Sequence, residues 1–287
     1  MRISSMFKKD RPLYSFELFP PKPNSPIKTI YETLEAIADL NPAYISVTYG
    51  AGGNPADNST FDIACLLQEK YHITPLPHIT CITSSKDEIN NRLAKYQDAG
   101  IENIFALRGD ENPHIAAKDD FRYASELITY IKGRFNFDIT GACYPEGHIA
   151  SPSLEQDIQY LKRKVDAGAS HLISQLFFSN EHFFDFVERC RAVGIHLPIE
   201  AGIMPVVNVK QIQKMVTLCG ASLPRKLTRM MQKYEDNPAA LRDAGIAYAT
   251  DQIVELLAAG VDGIHLYTMN NPYVARRITE NIAGIIK

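Results

Sequence analysis

Residues Tyr14–Pro21 read YSFELFPP, and the pattern of this run recurs along the chain. Its aromatic and apolar side chains favour a strand, and Pro20 and Pro21 end that strand abruptly. One carboxylate, Glu17, sits in the middle. Strand side chains alternate, so Glu17 shares a face with Ser15 and Phe19 while Phe16 and Leu18 take the other. An ionised carboxylate is costly to bury among such neighbours, which favours the neutral form and suits a general acid. Internal pairing with a Lys or Arg is the alternative reading of the same run.

Seven further β-like runs follow, beginning near Tyr44 (YISVTYG), Thr74 (TPLPHITC), Asn103 (NIFALRGD), Phe137 (FDITGACYP), His171 (HLISQLFF), Pro198 (PIEAGIMPV) and Gly263 (GIHLYTM). Helical patterns separate them. Ile30, Leu34, Ile37 and Leu40 recur at helical spacing, as do Ile89, Leu93 and Tyr96, and residues 157–168 form another such segment. The triplets DAG and AAG at 98–100, 166–168 and 258–260 place a glycine where a helix ends in a left-handed turn. Successive strand starts are 30, 30, 29, 34, 34, 27 and 65 residues apart. Eight strands alternating with helices indicate an α/β fold, a (β/α)₈ TIM barrel, and the absence of GxGxxG after the first strand argues against an open dinucleotide-binding sheet. The long last interval predicts extra helical segments between strands seven and eight, near 208–219 and 238–259, with 223–236 as a third. The whole chain, 1–287, reads as a single domain.

Bulk properties narrow the function. The formal charge is −3, from 30 basic and 33 acidic residues, and the longest basic run is Lys162–Lys164 (KRK). Neither a nucleic-acid surface nor a polybasic membrane patch is expected. The five scattered cysteines form no CxxC pair, which fits a reducing compartment. Residues 1–9 lack the apolar run of a signal peptide, and no stretch is long and apolar enough to span a bilayer. A cytoplasmic location is expected.

Barrel enzymes work at the carboxyl ends of their strands. The polar residues there are Glu17, Thr48 and Tyr49, His78 and Thr80, Arg108 and Asp110, Tyr144, Glu146 and His148, Gln175, and finally Tyr267–Asn270. His78 and His148 lie on separate strands without a carboxylate at zinc-like spacing, so no metal site is expected. There is no GxSxG elbow and no P-loop. The rim suits a flat, polar, aromatic ligand. Several of these groups have structural alternatives. Arg108 and Asp110 could form an ion pair sealing the mouth. The KRK run could be a solvated helix face. Phe177, Phe178, Phe183 and Phe184 could be core. A buried Gln175 must find partners, and a ligand is one source.

The motifs SFELFPP (15–21), SVTYG (46–50), PHITC (77–81) and ALRGD (106–110) resemble those of the methylenetetrahydrofolate reductase family. YPE with His148 (144–148), LKRKVDAG (161–168) and GIMP (202–205) extend the likeness to about residues 12–285. The resemblance implies an FAD enzyme in which NADH or NADPH reduces the flavin and leaves, after which methylenetetrahydrofolate is reduced to methyltetrahydrofolate in a ping-pong cycle. It implies that Glu17 is the general acid, that Asp110 contacts the pterin and tunes the flavin, and that Gln175 and Phe183 help to hold folate. For the flavin it implies Thr48, His78, Leu107, Arg108, Gly109, Tyr123, Ala124, Tyr144, His148, Asp157, Arg163 and Lys164, the last two offering cations to the diphosphate. It also implies a homo-oligomer.

The chain departs from the family pattern in places. Asn271 stands where an arginine would meet the benzoyl-glutamate end of folate, which would leave Arg276 or Arg277 to compensate. Met215 stands in place of an aromatic, Phe183 of a Tyr and Tyr160 of an Asn, and residues 52–60 lack the usual arginine. Two other readings follow from the residues. One is a non-redox barrel enzyme using Glu17 and Asp110 as paired carboxylates. The other is a folate-binding barrel subunit with weak or altered reductase activity, which Asn271 favours.

Overall fold

Strands rich in Val, Ile, Tyr and Phe bury both faces when helices cover the outside of a parallel sheet. The computed structural model describes residues 1–9, 11–21, 28–49, 58–110 and 116–286. Eight strands form among them: β1 Leu13–Leu18, β2 Tyr44–Val47, β3 Thr74–Thr80, β4 Asn103–Leu107, β5 Asp138–Cys143, β6 His171–Ser174, β7 Ile199–Ile203 and β8 Gly263–Tyr267. They close in sequence order into a barrel, β1-β2-β3-β4-β5-β6-β7-β8. Neighbours run parallel, with Glu17 level with Ser46, His78 with Phe105, and Gly202 with His265. The (β/α)₈ expectation is met, and each strand begins within a residue of its predicted start.

The helices are α1 Lys28–Ile37, α2 Ser59–Glu69, α3 Lys86–Asp98, α4 Ala124–Lys132, α5 Leu154–Asp166, α6 Asn180–Ala192, α7 Val209–Cys219, α8 Arg225–Tyr234, α9 Pro238–Ala258 and α10 Pro272–Ile282. Three of them, α7 to α9, fill the long interval before β8, as the spacing required. Their starts are set by local chemistry. Ser85 and Glu88 close a reciprocal capping box on α3, while Asn208, Asn237 and Asn271 cap α7, α9 and α10 through their side-chain carbonyls. The glycines of the DAG and AAG triplets, Gly100, Gly168 and Gly260, all take positive φ, as helix-ending turns demand.

Packing divides the chain into two units. The first comprises Met1–Met6, Ser15–Ala142 and Arg163–Leu172; the second comprises Phe7–Tyr14, Cys143–Lys162 and Ile173–Lys287. In the first, a short 3₁₀ helix, Ile3–Ser5, sits against the amino ends of β4 and β5. The Ile3 amide donates to Asn103 Oδ1 at 2.9 Å and the Ser4 amide to Asp138 Oδ2 at 2.7 Å. In the second, Leu176, Phe178, Met204, Val206, Val209, Ile212, Leu227, Met231, Leu241 and Tyr267 form a buried cluster, with Met215 packed on it. Burying each such side chain contributes about 1.5–3 kcal/mol. The Tyr267 hydroxyl donates to the Ser174 carbonyl at 2.7 Å and the Gly202 amide to Ser174 Oγ at 2.9 Å, tying β6, β7 and β8 together near their carboxyl ends. No helix among the described residues is long and apolar enough to cross a membrane.

Candidate active site

In the first unit the strand alignment brings a carboxyl, a hydroxyl and an imidazole together. Glu17 and Ser46 are level on adjacent strands, and Ser46 Oγ donates to Glu17 Oε2 at 3.3 Å. Ser46 is in turn level with Leu76, and His78, two residues further on, shares that face. His78 Nε2 comes to 3.5 Å from the same Oε2, and the His78 ring stands edge-on to Phe105 with centroids 4.5 Å apart. Glu17 is 6% exposed, Ser46 fully buried and His78 5% exposed. A carboxyl braced in this way, one residue from the end of β1, is held out of bulk water by its neighbours.

The turn after β4 is stitched to the end of β3. The Cys81 amide donates to the Leu107 and Arg108 carbonyls, and the Ile82 amide to the Arg108 carbonyl at 2.8 Å. Gly109 takes φ +85°, which strains any other residue, and a Cβ there would also press on Thr80 Cβ at 3.0 Å. Leu107 and Arg108 are half-buried and Asp110 is exposed. Burial, and then the Glu126 carboxylate, push the Cys81 thiol up to about 12, which leaves it protonated and no nucleophile. The Thr48 amide donates to the Leu18 carbonyl at 3.0 Å and the Thr48 carbonyl accepts from Thr60 Oγ1 at 2.9 Å, which fixes the backbone beyond β2. Residues 50–57, including most of the loop expected to approach a ligand and to lack an arginine, lie outside the described residues. Tyr123 is 60% exposed at the start of α4, and Ala124 behind it is buried. Arg163 is exposed. Lys164 Nζ donates to the Ala142 carbonyl at 2.8 Å, which holds the ammonium near the carboxyl end of β5.

In the second unit, Tyr144 and His148 stand edge-on, with centroids 4.8 Å apart at 89°. His148 Nδ1 accepts from the Ala150 amide at 3.1 Å, and Ser151 Oγ donates to Asp157 Oδ1 at 2.6 Å. Glu146 accepts from the Ser222 amide with both oxygens, at 3.1 and 3.0 Å, and His182 Nδ1 lies 3.0 Å from its Oε2. Gln175 lies one residue past β6 rather than within a strand. Its Oε1 accepts from the Leu176 amide at 2.8 Å, which leaves the NH₂ as the part of the amide able to serve a ligand. Phe183 is 1% exposed and stacks on Phe177, with centroids 5.0 Å apart at 19°, so its surroundings are those of a core residue. Asn271 Oδ1 accepts from the Val274 amide at 3.2 Å, so this side chain caps α10.

Residues 2–283 match the model of the family described as methylenetetrahydrofolate reductase. The chain belongs to the methylenetetrahydrofolate reductase family. It is 35% identical over 99% of its length to methylenetetrahydrofolate reductase (NADH) 1 of Arabidopsis thaliana, covering 50% of that protein. It is also 35% identical over 93% of its length to the 5,10-methylenetetrahydrofolate reductase of Escherichia coli, covering 90% of it. The chain thus spans about half of the plant relatives and about nine-tenths of the enterobacterial ones. Among solved structures, an uncharacterised protein from Clostridium thermocellum that binds two copies of 5-methyl-5,6,7,8-tetrahydrofolic acid superposes with a TM-score of 0.67. That match has 14% identity and covers 97% of this chain and 96% of the other, which is a likeness of fold.

The match to the methylenetetrahydrofolate reductase family runs through all eight strands and so takes in every residue discussed above. Ser46 as the partner of Glu17, and Glu146 as a brace between loops, have no marking in the sequence beyond their motifs. Arg242, which lines a cavity beside Asn271, escaped sequence reading altogether.

Proposed function

We propose that this chain reduces 5,10-methylenetetrahydrofolate to 5-methyltetrahydrofolate, using FAD and a reduced nicotinamide, NADH or NADPH, in a ping-pong cycle. The observation that carries the reading is Glu17, buried at the end of β1 against Ser46 and His78, in a chain of this family. The donor set suits FAD. Arg108, Arg163 and Lys164 are cations for a diphosphate, Thr48 and His78 offer polar groups, and exposed Tyr123 offers an aromatic face. Leu107, Gly109, Ala124, Tyr144, His148 and Asp157 complete the proposed surroundings. FAD, when bound, supplies a carrier that accepts hydride from the nicotinamide and returns it to the folate.

The chain's own residues do the rest. Glu17 gives a proton to the folate nitrogen that leaves as the five-membered ring opens. The electron pair of the breaking C–N bond goes to that nitrogen, and the methylene carbon becomes an iminium ready for hydride. Ser46 and His78 hold the Glu17 carboxyl in place during this transfer. Asp110 presents acceptors to the pterin N–H groups, and the Gln175 NH₂ donates to the bound folate. The working unit in this reading is one barrel domain, associated as a homo-oligomer in the cytoplasm. Light scattering of the purified protein tests the association.

Purified enzyme is expected to be yellow, to bleach anaerobically with NADH or NADPH, and to regain colour on addition of methylenetetrahydrofolate. Colourless protein that cannot be reconstituted with FAD would sink the reading. Glu17→Gln is expected to keep bleaching and to lose folate turnover by about 10²–10⁴-fold. Equal loss of both half-reactions would remove Glu17 from the acid role. Asn271 favours a second reading, a folate-binding barrel without turnover, which tight folate binding in an inactive protein would select.

A further inference from the structure

Between Ala201 and Tyr234 the chain carries six basic residues, Lys210, Lys214, Arg225, Lys226, Arg229 and Lys233, and no acidic one. At the frequency of the whole chain, with 33 acidic residues in 287, a stretch of this length would hold about four. All six cations are exposed, two on α7 and four on α8. Val209 and Ile212 of α7, with Leu227 and Met231 of α8, are buried in one cluster, so the charged faces of both helices turn away from it. Arg225, Arg229 and Lys233 recur every four residues along α8, at steps of about 6 Å, and Lys210, Lys214 and Leu218 do the same along α7. Lys226 is paired with Asp251, and the other five cations make no ion pair among the described residues. This arrangement works against its own helices. Like charges four apart repel, and Arg225 and Lys226 occupy the positive first turn of α8, where Pro224 supplies no side-chain cap. Carboxylates brought by another molecule would relieve these repulsions together. Beside the cations stands an apolar corner. Ile149 is 61% exposed and Leu218 is 62% exposed, and a Cβ on Gly220 would lie 2.6 Å from Ile149 Cγ2, which places both side chains where α7 ends.

We propose that the outer faces of α7 and α8 form a docking surface for an acidic protein, which presents carboxylates to the cations and an apolar side chain to Ile149 and Leu218. The surface lies apart from the reductase chemistry and does not depend on it. A protein fits this face better than the other polyanions do. Every exposed residue of α8 is polar or charged, which gives a bilayer no apolar side chain to take in. Tyr234, the one aromatic ring on either helix, packs against the buried cluster and leaves no ring for stacking bases. An exposed apolar pair beside a charged stripe is instead the pattern of a protein interface, an apolar centre with a polar rim. The repeat of about 6 Å along α8 matches carboxylates four residues apart on a partner helix. The hold of Glu146 on the Ser222 amide fixes the link between α7 and α8, so the surface is set before the partner arrives.

The probe is a short helical peptide with Glu at three positions four apart and Leu at one end, labelled for fluorescence anisotropy with the full-length protein. The same peptide with Gln for Glu is the control. Wild type is expected to bind the Glu peptide about 10-fold or more tighter than the Gln peptide. Raising the salt to about 0.5 M should erase most of that difference. Arg229→Glu combined with Lys233→Glu should reverse the preference, so that a peptide with Lys for Glu binds instead. Leu218→Ser should weaken the Glu peptide about 10-fold and leave its salt dependence in place. Arg229→Gln combined with Lys233→Gln reports on the same charges if the Glu pair folds poorly. In all of these variants kcat, KM and anaerobic bleaching should match wild type. Equal binding of the Glu and Gln peptides by wild type would overturn the proposal. Tighter binding of anionic phospholipid vesicles, or of a single-stranded RNA, would overturn it too and assign the face to that class of partner. Loss of turnover in the charge variants would return these cations to the reductase site. The peptide results stand whatever the folate assays give, so the two readings fail separately.

Discussion

Replacing Gly245 with alanine places a methyl carbon 1.8 Å from the Val206 carbonyl oxygen, 2.7 Å from its carbonyl carbon and 3.2 Å from its nitrogen. Comfortable carbon–oxygen contacts begin near 3.3 Å, so α9 and the segment after β7 must part by about 1.5 Å. The obstructing atoms are backbone and cannot rotate away, which puts the cost at the upper end of the ~1–3 kcal/mol typical of overpacking. Alanine returns up to about 1 kcal/mol through helix propensity, leaving a net loss of about 2 kcal/mol. For a chain of this size that lowers Tm by roughly 4–8 °C. Thermal melts should be run at fixed FAD and without folate, because bound ligand raises stability by mass action. An unchanged or raised Tm would refute the close approach.

Acid stability should depend in part on Glu88. The Lys118 ammonium, and then the Ser85 amide, hold its carboxyl below the usual 4.5. A lowered folded value means the interaction contributes fully above the unfolded value of about 4.5 and is lost as pH falls through the folded one. Glu88 and Lys118 are 34% and 39% exposed, so Glu88→Gln, which keeps an acceptor for the capping box, should cost only roughly 0.2–1 kcal/mol at neutral pH. In urea titrations this difference should shrink well below pH 4.5, and a difference independent of pH would contradict the assignment. Thiol chemistry gives another check. Cys81, Cys143 and Cys190 are buried, and burial pushes Cys81 and Cys190 up to about 12. A disulfide reagent at mildly alkaline pH should label Cys65 and Cys219 first and reach the other three only on unfolding; early labelling of Cys81 would mean that the end of β3 opens readily.

The barrel was legible because each strand is a short apolar run and each helix carries its own period, two signals that are local in sequence. Even the crowded interval before β8 could be divided into α7, α8 and α9. Strand ends were less sharp. Gln175 continues the apolar run of β6 but lies past its last residue, Ser174, because hydrogen bonding rather than composition decides where a strand stops. Glu17 stood out as a carboxylate in an apolar strand, yet its partners did not, since Ser46 and His78 meet it only through the register of three adjacent strands. Phe183 and Asn271 show the opposite problem. Each was assigned to ligand by its place in a motif, and the structure gives one a core partner in Phe177 and the other a helix to cap.

Glu146 binds the Ser222 amide and the His182 imidazole with a single carboxylate. It therefore serves as a common latch for three connections: β5 to α5, the first turn of α6, and the link from α7 to α8. None of the three can swing outward alone without Glu146 exchanging its protein partners for water. The carboxylate thus couples three stretches of chain that are far apart in sequence, and loosening one of them weakens the hold on the other two.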